Sequence, residues 1–489
     1  MRAPFRVIIA VLCSIARTGS ALADCTLPST PNDGYFDQTW AGHGCVVFNG
    51  DNTYAMATSA VDKIMPLAGG TLLLGGEASG LTAGYWWVGE LDSGGSFVTT
   101  FGDSDNSGRI NECTLLTCGS DSSYDYAMQA DGKVLVLSAQ HLARTGAGAH
   151  GLDTTGVSGN TGYVPPSYII GSPSAQMYAS NFGAVAATSG GGVFTAGFGY
   201  PSGAAYADFG IARLIANLTV DTTFHAVMEG GISYAGGNFI DLGNAAEASQ
   251  IFELADGHIV LAGYSGYRDI LVARLNSNGE LDTTYNAAGS RPGTILISSG
   301  SLPNSIVAEA SLVHPAAVDR IGRVVYIVNG YTVAHGYLGA LVTRFNADGT
   351  QDMSFGTSGW SYNDVFPACP NSGFQPNAVT IDEAGRILVA GVCDSEFGVI
   401  RLRADTVHPG GLDTSWGIGG MAHGTFSPTS TSETENSIAF DGAGHFYIGG
   451  STHPTGSATQ SAVARLTYDL IHVGDFESAP RGCLPPNCN

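Results

Sequence analysis

The chain has 489 residues, a formal charge of −23 and only 12% charged residues, about half the usual share, with 69 glycines. An acidic balance of that size disfavours nucleic acid and anionic membrane surfaces as partners. Sparse charge, many glycines and many β-branched residues point to short strands and tight turns, and no segment sustains a helical period.

Residues 1–23 read as a secretory signal, with Arg2 and Arg6, an apolar run from Val7 to Ile15, and Ala21-Leu22-Ala23 before Asp24. The run is too short for a membrane span. Its removal takes three Arg and no carboxylate, so −23 becomes −26. Cys13 leaves with it, and eight cysteines remain for an oxidising compartment. Many connectivities are open, and close spacing favours Cys25–Cys45, Cys113–Cys118, Cys369–Cys393 and Cys483–Cys488. No CxxC, HExxH or paired His offers a zinc site.

From residue 24 to about 470 one unit returns seven times. Its marker is an Asp in phrases such as FDQTW, LDTTY and LDTSW, at 37, 153, 221, 282, 352 and 413, with Val98 in the second copy. The spacings average about 63 residues, which signals a repeat architecture. After each marker come a Gly-rich turn, a short strand, a hairpin such as SQIFELADGHIVLAG (249–263), and a strand such as ILVARLN (270–276). Four antiparallel strands per unit make a blade, and seven blades make a closed all-β propeller. The chain reaches its first marker without a preceding hairpin and leaves its last unit at AVARLT (462–467). An N-terminal strand is therefore expected to complete the last blade, removing two exposed sheet edges. Residues 471–489 form a tail.

The last strand of the unit carries Arg144, Arg213, Arg274, Arg344, Arg401 and Arg465, whereas the first unit has Glu90. The marker after Glu90 is the one without Asp, so Arg and Asp are lost together. That co-loss predicts pairs Arg213–Asp221, Arg274–Asp282, Arg344–Asp352, Arg401–Asp413, Arg465–Asp37 and, more loosely, Arg144–Asp153. An Asx turn, with the Asp accepting a backbone N–H, accounts for the same residue, and both can hold at once. The pattern RLNSNGELDTTYNAAG followed by ADGHIVLAG resembles the delta-60 repeat of exported bacterial proteins, over nearly all of the chain after the signal. The resemblance implies a β-propeller and no particular reaction.

Candidate sites are few. In FGDSDNSGRINEC (101–113), Asp103, Asp105, Ser107 and Asn111 fall at ligand positions of an EF-hand-like loop, but Thr114 stands where a bidentate carboxylate belongs. Weak calcium binding or a plain polar loop both fit, and no other cofactor is indicated. GAGAHG (146–151) lacks the following helix a dinucleotide site needs. Insertions gather before the first hairpin strand (111–125, 298–313, 363–376, 427–435) or after the second (197–208, 329–338, 450–460). Both classes belong to one face of the ring, and function concentrates on such loops. Glu247, Glu309, Glu435 and Asp125 are the carboxylates expected near that end of the channel. The reading is an exported monomer, periplasmic, secreted or at the cell surface, that binds a protein or glycan without catalysis. The alternative is a carbohydrate-active hydrolase or lyase using those carboxylates.

Overall fold

A computed structural model describes residues 36–467 except 38, 43, 50–57, 80–83, 103–106, 112–122, 139–140, 150, 152, 154–162, 165–175, 179–182, 201–205, 230–231, 267, 304–305, 311–314, 333–337, 364–368, 370–372, 406 and 428. The signal, the tail, Asp103, Asp105, Cys25, Cys113, Cys118, Cys483 and Cys488 lie outside the described residues.

Seven antiparallel sheets follow one another as blades. In blade four the strands Ala246–Glu253, Ile259–Ser265, Asp269–Leu275 and Thr294–Ile297 run in order from the channel outward. Blade one repeats this with Thr58–Pro66, Leu72–Ser79, Gly84–Leu91 and Arg109–Asn111, and blade two with Ser123–Met128, Lys133–Ser138, Leu142–Ala147 and Tyr163–Val164. Blade six uses Phe374–Ile381, Ile387–Cys393, Glu396–Leu402 and Met421–Gly424. The first strands of adjacent blades pack on one another, which makes them the innermost.

Two blades depart from four simple strands. In blade five Ile306–Ala310 and Ala316–Val318 share the inner position against Val324–Thr332, followed outward by Leu338–Phe345 and Trp360–Asn363. Blade three likewise sets Gln176–Tyr178 and Ala184–Ala187 against Val193–Tyr200, then Asp208–Leu214 and Gly237–Ile240. A further hairpin, Ala226–Glu229 with Ile232–Ala235, extends that blade outward.

Blade seven closes the ring. Ser430–Phe440, His445–Pro454 and Gln460–Thr467 receive Cys45–Phe48 as outer strand, with Cys45 opposite Ala464 and Phe48 opposite Ser461. Phe36 bridges Leu466, and Arg465 Nη2 lies 2.6 Å from Asp37 Oδ2. The core is distributed between blades: Phe397, Leu388 and Trp416 of blade six pack with Phe36, Ile438 and Phe446 of blade seven. Cys369 and Cys393 are joined in a disulfide, and Cys45 is also disulfide-bonded.

Five marker Asp residues, Asp37, Asp221, Asp282, Asp352 and Asp413, divide their two oxygens. In blade four, Oδ1 of Asp282 accepts from the amide and hydroxyl of Thr284 at 3.0 and 2.6 Å. Oδ2 takes Arg274 at 2.7 Å. Asp221 with Arg213, Asp352 with Arg344 and Asp413 with Arg401 repeat the division, and Arg144 Nη2 lies 2.9 Å from Asp153. The arginine then stacks over the aromatic that follows the marker: Phe224, Tyr285, Phe355, Trp416 and Trp40, at 4.6–5.8 Å. Blade one, which lost the pair, keeps the cation by another route. Arg109, from its fourth strand, lies 4.4 Å from the Phe97 ring and donates to the Asn49 carbonyl.

Burial works against the charge on Asp37, Asp221, Asp282, Asp352 and Asp413. The Ser or Thr two residues on and the arginine outweigh it and hold these carboxyls below their usual range. A depressed folded value stabilises above the unfolded value near 4, and that stability disappears as pH falls through the folded one. Asp37→Ala should leave Arg465 uncompensated and cost about 3 kcal/mol, read as a lower urea midpoint at pH 7. An unchanged midpoint would mean that the N-terminal corner does not hold the ring shut.

Candidate functional site

The channel is walled by the innermost strands, and these share an irregularity. Five of them carry a β-bulge at one level, leaving Asp62, Ser249, Glu309, Asn377 and Asn436 as the extra residue, and blade two carries one at Tyr124. The carbonyl two residues before the bulge (Ala60, Glu247, Gln375, Thr434) leans onto the second strand. A Cβ on Gly76, Gly263, Gly391 or Gly450 would lie 1.7–2.1 Å from a carbonyl oxygen of its own blade's first strand. The glycine ending the repeated VLAG phrase is thus required by the bulge.

The side chain after the bulge reaches across the seam. Gln250 accepts the Ala316 amide at 2.7 Å, Ser437 accepts the Ile64 amide at 3.0 Å, and Asp125 accepts the Val185 amide at 2.9 Å. Asp125 also holds Lys63 of blade one at 2.7 Å and is 5% exposed. Its two oxygens therefore tie blades one, two and three together.

The three glutamates expected at the channel mouth lie within the innermost strands, not in loops before them, because those strands extend further than the sequence suggested. Segment 427–435 in particular falls largely inside the 11-residue strand Ser430–Phe440. The register also separates them. Glu247 stands two residues before its bulge, Glu309 is the bulged residue, and Glu435 immediately precedes one. Burial pushes Glu247 up to about 7, against the Tyr264 hydroxyl. Glu435 is fully buried, while the side chain of Glu309 lies outside the described residues.

The carboxylates that do meet others on the channel wall are not among those four. Asp62, half-buried at its bulge, accepts from Asn436 Nδ2 at 3.0 Å across the closing seam. Burial and then the Glu77 carboxylate push it up to about 7. An Asp62 raised in this way, with an amide beside it, can donate and accept hydrogen bonds to hydroxyl groups near neutral pH. Sequence reasoning missed Asp62, Glu77 and Glu433. The signals were present: Gly75-Gly76 and Gly449-Gly450 mark the bulges, and Glu433-Thr434-Glu435 puts two acids on one strand face.

In the calcium-like loop, Ser107 Oγ exchanges hydrogen bonds with the Arg109 backbone at 3.1 and 3.2 Å, and Asn111 is buried in the outer strand of blade one opposite Trp87. Among the described residues no group of three or more His, Cys, Asp or Glu is arranged to hold a metal. No helix among them is long and apolar enough to cross a membrane.

The opposite face carries the hairpin turns. Depressions of about 730 and 620 Å³ open there, between the turns of blades two to five and five to seven. Several of their charges pair within the turns, Arg323 with Asp319 at 2.6 Å, Arg386 with Asp382 at 2.7 Å and His445 with Asp441 at 2.9 Å, while Arg320 donates to the Glu383 carbonyl of the next blade at 2.8 Å.

The fold and wall define the chain as a seven-bladed β-propeller. A family model described as "Domain of unknown function (DUF5122) beta-propeller" matches residues 254–285. No curated protein sequence matches the chain. Among solved structures, a protein of unknown function from Dyadobacter fermentans DSM 18053 is 10% identical over 87% of this chain and 98% of its own, with a TM-score of 0.42. The polysaccharide lyase Uly1 is 11% identical over 84% and 90%, at 0.43. Drosophila Semaphorin 2a is 9% identical over 87% and 75%, at 0.42. Such likenesses carry no argument about activity.

Carboxyl-carbon NMR of the labelled protein should show Asp62 titrating near pH 7, and Glu77→Gln should move that midpoint down. An Asp62 midpoint near 4 would remove it as a neutral-pH donor.

Proposed function

We propose that this is an exported, non-catalytic propeller that binds a glycan or protein at the face carrying the variable connections. One observation supports this most: the two faces are built differently. On the hairpin-turn face, Asp-anchored turns and Asp–Arg corners repeat from blade to blade, and their charges are spent in local pairs. On the other face the link from second to third strand varies from 394–395 in blade six to 201–207 in blade three. Variable segments on a rigid scaffold are where recognition resides. The Asp62–Asn436 pair on the wall below offers a carboxyl and an amide for hydroxyl groups, which favours a glycan over an anionic ligand. Segments 1–23 as signal and 471–489 as tail, and calcium at 103–111, belong to the same proposal.

The test is a glycan array together with capture of secreted proteins, using wild type and a variant with 201–207, 333–337 and 455–459 shortened. Binding should fall at least about tenfold with the circular dichroism spectrum unchanged, while Arg320→Ala with Glu383→Ala on the hairpin-turn face leaves it intact. The reverse pattern would place the site on the wrong side. A second reading, acid–base catalysis, draws on the raised Asp62 beside Glu77. Polysaccharide turnover abolished by Asp62→Asn, with binding retained, would establish it instead.

A further inference from the structure

The innermost strand of blade seven carries two acids that the channel wall does not use. Glu433, Thr434 and Glu435 pair in unbroken register with Thr452, Ser451 and Gly450, so Glu433 and Glu435 project from the same side of the sheet. That side faces blade six: the Phe426 amide, in the link leaving blade six, donates to both oxygens of Glu433 at 3.1 Å. The Thr452 hydroxyl donates to Glu433 Oε1 at 3.0 Å. Glu433 is 2% exposed and Glu435 0%, and neither oxygen of Glu435 makes a hydrogen bond with another described residue. A carboxylate buried without a partner is too costly to persist, so something must neutralise it.

We propose that Glu433 and Glu435 form a proton-binding site that locks the ring-closing blade onto blade six. Glu433, held by an amide and a hydroxyl, is the first of the two to ionise. Glu435 keeps the proton. Loss of that proton with rising pH puts two like charges into a buried seam and loosens blade seven, the blade completed by Cys45–Phe48.

Among the described residues the surroundings supply no other neutralising charge. From blade six the packed strands bring Gln375 and Asn377, Glu396 bonded to His423 at 2.7 Å, and Arg401 bonded to Asp413 at the hairpin-turn end. Blade one brings Asp62 and Lys63, the latter committed to Asp125. On the neighbouring strand of blade seven, His453 bonds Thr459 at 2.9 Å. Burial first, and then the charge of Glu433, push Glu435 well above its usual value. Burial raises Glu433 to about 7 against the Phe426 amide and the Ser430 and Thr452 hydroxyls. A folded value raised above the unfolded one stabilises below the unfolded value, near 4.5, and that stability is lost as pH rises through the folded value.

The experiment pairs two readouts on the full chain. Infrared spectra of protein with labelled glutamate should show the carbonyl band of a protonated acid at pH 7, and Glu435→Gln in a Glu247→Gln background should remove it. Urea unfolding between pH 6 and 9 should show wild type losing stability as pH rises, and Glu435→Gln should lower that slope by up to about tenfold in the folding constant per pH unit, the share of its one proton. Absence of the band in wild type at pH 7 overturns the proposal even if the variant fails to fold. So does a variant that keeps the wild-type slope. A midpoint raised by calcium in wild type only, without the acid band, would mean that a metal ion neutralises the pair, and would equally overturn it.

Discussion

The corner at which each third strand turns into the fourth is the constraint on which the structure rests. One carboxylate does two jobs there. It caps the turn through Oδ1, and through Oδ2 it fixes an arginine whose plane covers the next aromatic ring. The same arginine donates onward: Arg213 to the Ser277 carbonyl at 3.1 Å, Arg144 to Ala216 and Arg274 to Ala347. Backbone amides run in parallel, from Asn286 to Asp348 and from Gly356 to Pro409, each at 2.7 Å. The corner is therefore a joint between blades as well as a turn within one, and removing either partner strands a largely buried charge.

A ring jointed in this way at one face leaves the other free to vary. Bulges at a common level set the channel wall, and the residue after the bulge secures the next blade where it can, as Asp125, Gln250 and Ser437 do. Carboxyls on these strands are therefore divided between seams and channel, so a list of acidic residues in the right segments does not identify a site. Asp62 is the channel-wall acid with an amide and a second carboxylate in attendance. Blade seven buries two acids, Glu433 and Glu435, in its seam, in the blade where the two ends of the ring meet.

The architecture was legible because the corner is local. Asp282, Thr284 and Arg274 lie within eleven residues, so the phrase that encodes the joint is contiguous and its repetition gives the number of blades. The co-loss at Glu90 and Val98 pointed to the pairing, although the replacement by Arg109 was not legible, since that residue arrives from another strand. The wall was much less so. Whether Glu435 faces a loop or a seam depends on a one-residue bulge and on how far Ser430–Phe440 extends, and both are decided by packing against blades six and one. Insertions within the inner strands of blades three and five, and the added hairpin of blade three, likewise carry no repeated phrase.

A double-mutant cycle on Arg274 and Asp282 bears most directly on the joint. Urea unfolding of Arg274→Met, Asp282→Asn and the double variant should give a coupling energy of about 1–3 kcal/mol, with each single change costing nearly as much as both together. Single effects that simply add, or that are each within about 0.5 kcal/mol of wild type, would contradict the account.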